Sequence, residues 1–174
     1  MGLDARDLAL KYLSKRDRTA LEVKKYLELK GISNLEIKDC LDYLSECGVI
    51  NDVGYCDKYI LYGMEKGRGP LRLERELLEK GISPETIKLA LEQHFGDRGE
   101  KKAVLAYVNK LLQQTGQDLR ADTAYFDRRE HGNLSEEDAV PPLSEKEVAR
   151  IGRRLAYQGY HSNVIYELLE RLRR

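Results

Sequence analysis

Apolar residues recur at helical spacing along most of the chain, and the apolar runs break at glycines. Taking Gly31 and Gly81 as anchors, a leucine stands four residues before each (Leu27, Leu77) and an apolar residue eight before (Val23, Leu73). Six residues after each comes isoleucine (Ile37, Ile87), and ten after comes leucine (Leu41, Leu91). A third copy is anchored on Gly159, with Ile151, Leu155, Ile165 and Leu169 at the same offsets. Spacings of four keep a stripe on one side of a 3.6-residue turn, so each anchor is predicted to join two amphipathic helices.

The glycine is predicted to sit just past the helix end, where the left-handed conformation costs it little. In such a stop the residue after the glycine packs back on the last turn. Those pairs are Ile32 with Leu27, Ile82 with Leu77 and Tyr160 with Leu155, all apolar. Ser33 with Glu36 then reads as a capping box, and Ser83 precedes Pro84 at the first helical position. A further helix precedes each corner, marked by Leu8, Leu10, Tyr12 and Leu13, by Tyr55, Cys56, Tyr59 and Ile60, and by Val104, Leu105, Tyr107 and Val108. The unit is three helices.

Breakers in "CGVIND" (Cys47–Asp52) and "FGDRG" (Phe95–Gly99) divide the chain into repeats at 1–52, 53–97 and 98–174. No segment alternates with period two, so the expected class is all-α: three tandem three-helix repeats. The stretch 116–143 does not fit the repeat, ends acidic (Glu136, Glu137, Asp138) and closes with Pro141-Pro142. It reads as a surface insertion between the first two helices of repeat three, with a short helical turn at 121–129.

Composition narrows the function. Thirty Lys+Arg balance thirty Asp+Glu, so any surface for a polyanion must be local. Cys40, Cys47 and Cys56 form no C-x-x-C and stand in no ligand spacing to His94, His131 or His161; they read as small buried side chains, with no metal and no cofactor. No apolar run approaches a membrane span, and the expectation is a cytoplasmic monomer. No nucleophile–base pair stands out, so the chain reads as non-enzymatic.

The combination "CGVINDVGYCDKYI" followed by "GRGPLRLERELLEKGIS" resembles the RecX family, bacterial modulators of the RecA recombinase. Gly67, Gly69, Pro70, Arg72, Leu73, Glu76, Leu77, Lys80 and Gly81 match the family pattern, and "RRLAYQGYHSNVIYELL" resembles its C-terminal repeat, with Gln158 and Tyr160 in place of arginine and phenylalanine. The resemblance spans the chain apart from the 116–143 insertion. It implies three-helix modules in a curved, elongated array of either hand. It also implies binding in the groove of the RecA–DNA filament, with loss of RecA's ATP hydrolysis, filament growth and strand exchange.

Helical geometry nominates the contact residues. With Leu73 and Leu77 inward, Arg72 and Arg75 point outward, and Arg150 and Arg153 are their equivalents in repeat three. Glu76 and Glu79 stand one turn beyond the first pair and can offset it. Arg154 and Tyr157 stand one turn beyond the second, so repeat three is locally uncompensated, and Arg171, Arg173 and Arg174 add charge nearby in sequence. Arg68, in "EKGRGP", could hold an anion at a helix start, although no strand precedes it and no Gly-Lys-Ser/Thr follows, which favours a hinge over a nucleotide loop. Tyr12, Tyr55, Tyr59 and Tyr107 fall on inner stripes and read as core rather than as base-stacking positions. The competing function is a helical module that binds DNA directly, disfavoured by the zero net charge.

Overall fold

The computed structural model describes residues 4–96, 98–114 and 143–173. The described residues form nine α-helices and no strand: α1 (Ala5–Leu13), α2 (Ala20–Leu29), α3 (Asn34–Glu46), α4 (Asp52–Glu65), α5 (Pro70–Glu79), α6 (Pro84–Phe95), α7 (Gly99–Gln114), α8 (Glu145–Gln158) and α9 (Ser162–Arg173). The insertion expected at 116–143, with its helical turn at 121–129, lies outside the described residues except for Leu143.

The three corners are built alike. Gly31, Gly81 and Gly159 take φ of 77°, 80° and 86°. Their N–H groups donate to Glu28 (3.0 Å), Leu78 (2.9 Å) and Ala156 (3.0 Å), while Ile32, Ile82 and Tyr160 donate to Leu27, Leu77 and Leu155 (3.2, 3.2 and 3.3 Å). This pair of bonds satisfies two of the carbonyls that a helix end leaves open. Gly48 and Gly67 repeat the pattern at the ends of α3 and α4, with φ of 67° and 75°. Gly67 is therefore a helix stop.

Caps start the next helices. Ser33–Glu36, Thr19–Glu22 and Ser144–Glu147 are full capping boxes on α3, α2 and α8, and the Ser83 hydroxyl accepts from the Thr86 N–H (3.2 Å) ahead of α6. The inner stripe is buried as the spacing requires: Val23, Leu27, Leu73, Leu77 and Leu155 are wholly inaccessible. Leu10 departs from its predicted stripe and is exposed. Cys40 and Cys56 are buried and Cys47 is exposed, because α3 ends at Glu46 and Cys47 only caps it. Burial pushes the Cys56 thiol up to about 11.

The chain divides into two compact units, cut differently from the repeats: Met1–Tyr62 with Glu74–Leu91, and Gly63–Leu73 with Glu92–Arg174. The first has a core of Leu8, Ala9, Val23, Leu27, Ile37, Cys40, Leu44 and Ile50. The second is built on Val104, Val108, Leu112, Ile151, Leu155, Tyr160, Val164, Ile165 and Leu168.

Candidate functional site

The second unit holds most of the candidate arginines, and its geometry starts from the Gly-Arg-Gly-Pro segment. Gly69 donates its N–H to the Gln158 carbonyl (2.8 Å), and Leu71 donates to the Gly159 carbonyl (3.0 Å). The first amides of α5 are thus seated on the last carbonyls of α8, positive helix end on negative helix end. A Cβ on Gly69 would lie 2.5 Å from the Gly159 carbonyl carbon and oxygen, and a Cβ on Gly67 would strike the Tyr107 ring. The segment is a docking corner. Its amides are already taken, so the anion-loop reading of "EKGRGP" has no physical basis. Arg68 beside them is half-buried and is not a free cation.

Arg72 belongs to the same corner. Its Nη1 donates to Gln158 Oε1 (3.1 Å), and its guanidinium lies 5.7 Å from the centre of the Tyr157 ring. Gln158 Nε2 donates in turn to the Tyr107 hydroxyl (3.1 Å). Arg72 is half-buried, so it carries structure as well as charge. Arg75, in the first unit, is exposed and makes no ion pair with Glu79, contrary to the pairing expected one helical turn apart. The two arginines of α5 are not an equivalent pair.

Helix α8 is different. At 100° per residue, Lys146, Arg150, Arg153, Arg154 and Tyr157 fall within an arc of about 100°, turned away from Val148, Ile151 and Leu155. All five are exposed, and no acidic residue lies within the arc. None of the four cations has an ion-pair partner among the described residues. Elsewhere in the unit Arg98, Lys102 and Lys110 likewise have no ion-pair partner among the described residues, but other charges are matched. Lys101 meets Glu167 at 2.7 Å, Arg171 meets Glu167 at 3.0 Å, and Arg173 meets Glu170 at 3.1 Å and Glu145 at 3.8 Å. Arg171 and Arg173 therefore do not reinforce the α8 face, as their place in the sequence had suggested. Arg174 lies outside the described residues.

In the sequence Tyr157 stands out only as the neighbour of Arg153 one turn on. It is 77% exposed, whereas Tyr12, Tyr55, Tyr59 and Tyr107 are half-buried. Its position two residues past Leu155, on the opposite side of the helix from the inner stripe, was the available signal. Tyr12 stacks on Tyr26 with ring centres 4.1 Å apart, and Tyr107 packs on Tyr160 at 6.4 Å.

The first unit contains a compact group of acids and bases with a structural role. Glu22 takes Arg16 at 2.8 Å, with Arg18 at 3.9 Å and Lys80 at 4.0 Å. Lys80 also lies over the Tyr55 and Tyr59 rings, and its carbonyl accepts from the buried Thr19 hydroxyl at 2.8 Å. Burial alone would raise the Glu22 carboxyl. The Arg16 hydrogen bond, the Thr19 N–H and the Lys80 charge outweigh it and hold the group below the usual carboxylate range. Tyr59 donates to Glu76 (2.9 Å). The described residues contain no group of three or more His, Cys, Asp or Glu that could hold a metal ion, and no helix long and apolar enough to cross a membrane.

Three-helix corners repeated along the chain, with one helix presenting a cationic outer face, define an all-α helical-repeat protein. Residues 5–44 match the family model for the first three-helix domain of RecX, and residues 51–91 match that for the second. The regulatory protein RecX of Legionella pneumophila (strain Corby) is 28% identical over 167 residues, 96% of this chain and 93% of the relative. That of Pseudomonas tolaasii is 27% identical over 164 residues, 94% and 88%. The crystal structure of RecX from Lactobacillus salivarius superposes with a TM-score of 0.71 at 22% identity, covering 97% of this chain and 94% of that one. The chain belongs to the RecX family. Its relatives are named regulatory proteins, which supports a regulatory role here.

Proposed function

We propose that the protein is a non-enzymatic regulator that binds the RecA–DNA filament and lowers RecA's ATP hydrolysis, filament growth and strand exchange. The reading is carried by the match of both the first and the second three-helix domains to RecX. The α8 face supports it physically, since four exposed cations with no ion-pair partner among the described residues suit a surface lined with phosphates and carboxylates. Arg150, Arg153 and Arg154 are the proposed contacts, with Arg75 a separate exposed cation. Arg68 and Arg72 contribute by shaping the corner.

Titration of the protein into DNA-dependent ATP hydrolysis by the same organism's RecA tests this. Inhibition at or below one protein per RecA monomer is the expected result. An unchanged rate at large excess over RecA would remove the assignment.

A further inference from the structure

We infer that the outer face of α8 is a single-stranded nucleic-acid track, on which Lys146, Arg150, Arg153 and Arg154 take phosphates and Tyr157 stacks on a base. The inference deepens the filament reading, on which it rests for its setting, by naming the strand as what this face touches.

The face suits such a ligand in three respects. Its four cations have no ion-pair partner among the described residues, a state they share in this unit with the scattered Arg98, Lys102 and Lys110, whereas Lys101, Arg171 and Arg173 all meet glutamates. A guanidinium or ammonium that makes no intramolecular pair is available to an external anion without first breaking a bond. The cations also lie in line: Lys146 to Tyr157 is eleven residues, about 16 Å along the axis at 1.5 Å per residue, the reach of a few nucleotides.

The third respect decides between an acidic protein and a nucleic acid. An acidic surface would be served by the arginines alone. Tyr157 adds a large aromatic ring that is 77% exposed at the end of the cationic line. The Arg72 guanidinium lies 5.7 Å from the ring centre, and the Arg72 Nη1–Gln158 Oε1 bond (3.1 Å) anchors that guanidinium. A ring held beside a fixed cation, with its remaining surface open, offers a stacking partner to any base. Bases in a duplex are already stacked and cannot use it, so the tyrosine should favour single strands while the cations serve both.

Fluorescence anisotropy on a labelled single-stranded oligothymidylate and on a duplex of equal length, with no recombinase present, tests this apart from any effect on RecA. Tyr157→Ala should weaken single-strand binding about tenfold, leave the duplex unchanged, and be rescued by Tyr157→Phe. Arg150→Ala with Arg153→Ala should weaken both and reduce the salt slope on the single strand by about 1.4, at 0.7 per phosphate lost. Circular dichroism checks each fold. Equal loss on both DNAs for Tyr157→Ala would overturn the stacking role. Absence of single-strand binding by the unaltered protein would overturn the track, while leaving inhibition of RecA to be judged on its own assay. Variants that keep DNA affinity but lose the filament would show that the face meets protein instead.

Discussion

Replacing Gly69 by alanine tests whether the α5–α8 corner holds the second unit together. The added Cβ would sit 2.5 Å from the Gly159 carbonyl carbon and oxygen and 2.6 Å from the Tyr160 nitrogen. All three are backbone atoms, so no rotamer change relieves the overlap and the two segments must separate. Separation lengthens the Gly69–Gln158 and Leu71–Gly159 hydrogen bonds, now 2.8 and 3.0 Å. Each such bond contributes about 1 kcal/mol net, and leaving its buried groups unpaired costs more. The expected loss is therefore roughly 2–4 kcal/mol. Gly31→Ala is the control. That glycine has φ of 77° and open space where its Cβ would go, so only the left-handed conformation is penalised, by about 1–2 kcal/mol. Thermal and urea unfolding of both variants measures the comparison. A Gly69→Ala protein as stable as the parent, or more stable than Gly31→Ala, would refute the docked-corner account.

Two further substitutions probe the interior. The Tyr160 hydroxyl is buried with no hydrogen-bond partner among the described residues, and burial pushes it well above the usual tyrosine range. Tyr160→Phe should stabilise the fold by about 1 kcal/mol, since an unpaired buried hydroxyl is removed without loss of packing; a lower melting temperature would mean that the hydroxyl has a partner after all. Glu22, held below the usual carboxylate range, contributes stability that is complete above its unfolded pKa and is lost as pH falls through the lower, folded value. Glu22→Gln should therefore destabilise at pH 7 by about 1–2 kcal/mol and flatten the fall in stability on acidification; an unaltered acid profile would show that the Arg16–Glu22–Lys80 group does not couple to folding.

Much of the fold was legible in the chain because its determinants are local. A left-handed glycine, an apolar residue following it, and a serine that caps the next helix all act within a few residues of one another. That is why Gly31, Gly81 and Gly159 could be aligned by offset alone. The two buried cysteines and the half-buried tyrosines follow from the same stripes. Leu10 and Cys47 escaped the pattern because a stripe extended to a helix's margin no longer says which side faces the core.

The candidate site depended on distance in space. Helical spacing placed Arg72 and Arg75 side by side and offered each a glutamate one turn on. Packing joined Arg72 to Gln158, eighty-six residues away in the chain, and left Arg75 with no ion-pair partner among the described residues. It matched Arg173 to Glu145 and Glu170 while leaving Arg150, Arg153 and Arg154 without an ion-pair partner among the described residues. The sequence by itself determined where helices begin, end and turn, because those choices rest on backbone bonds between neighbours. Only the tertiary structure decided which charges are spent, which glycines admit another backbone, and which tyrosines face solvent, because each depends on what a distant helix brings within a few ångströms.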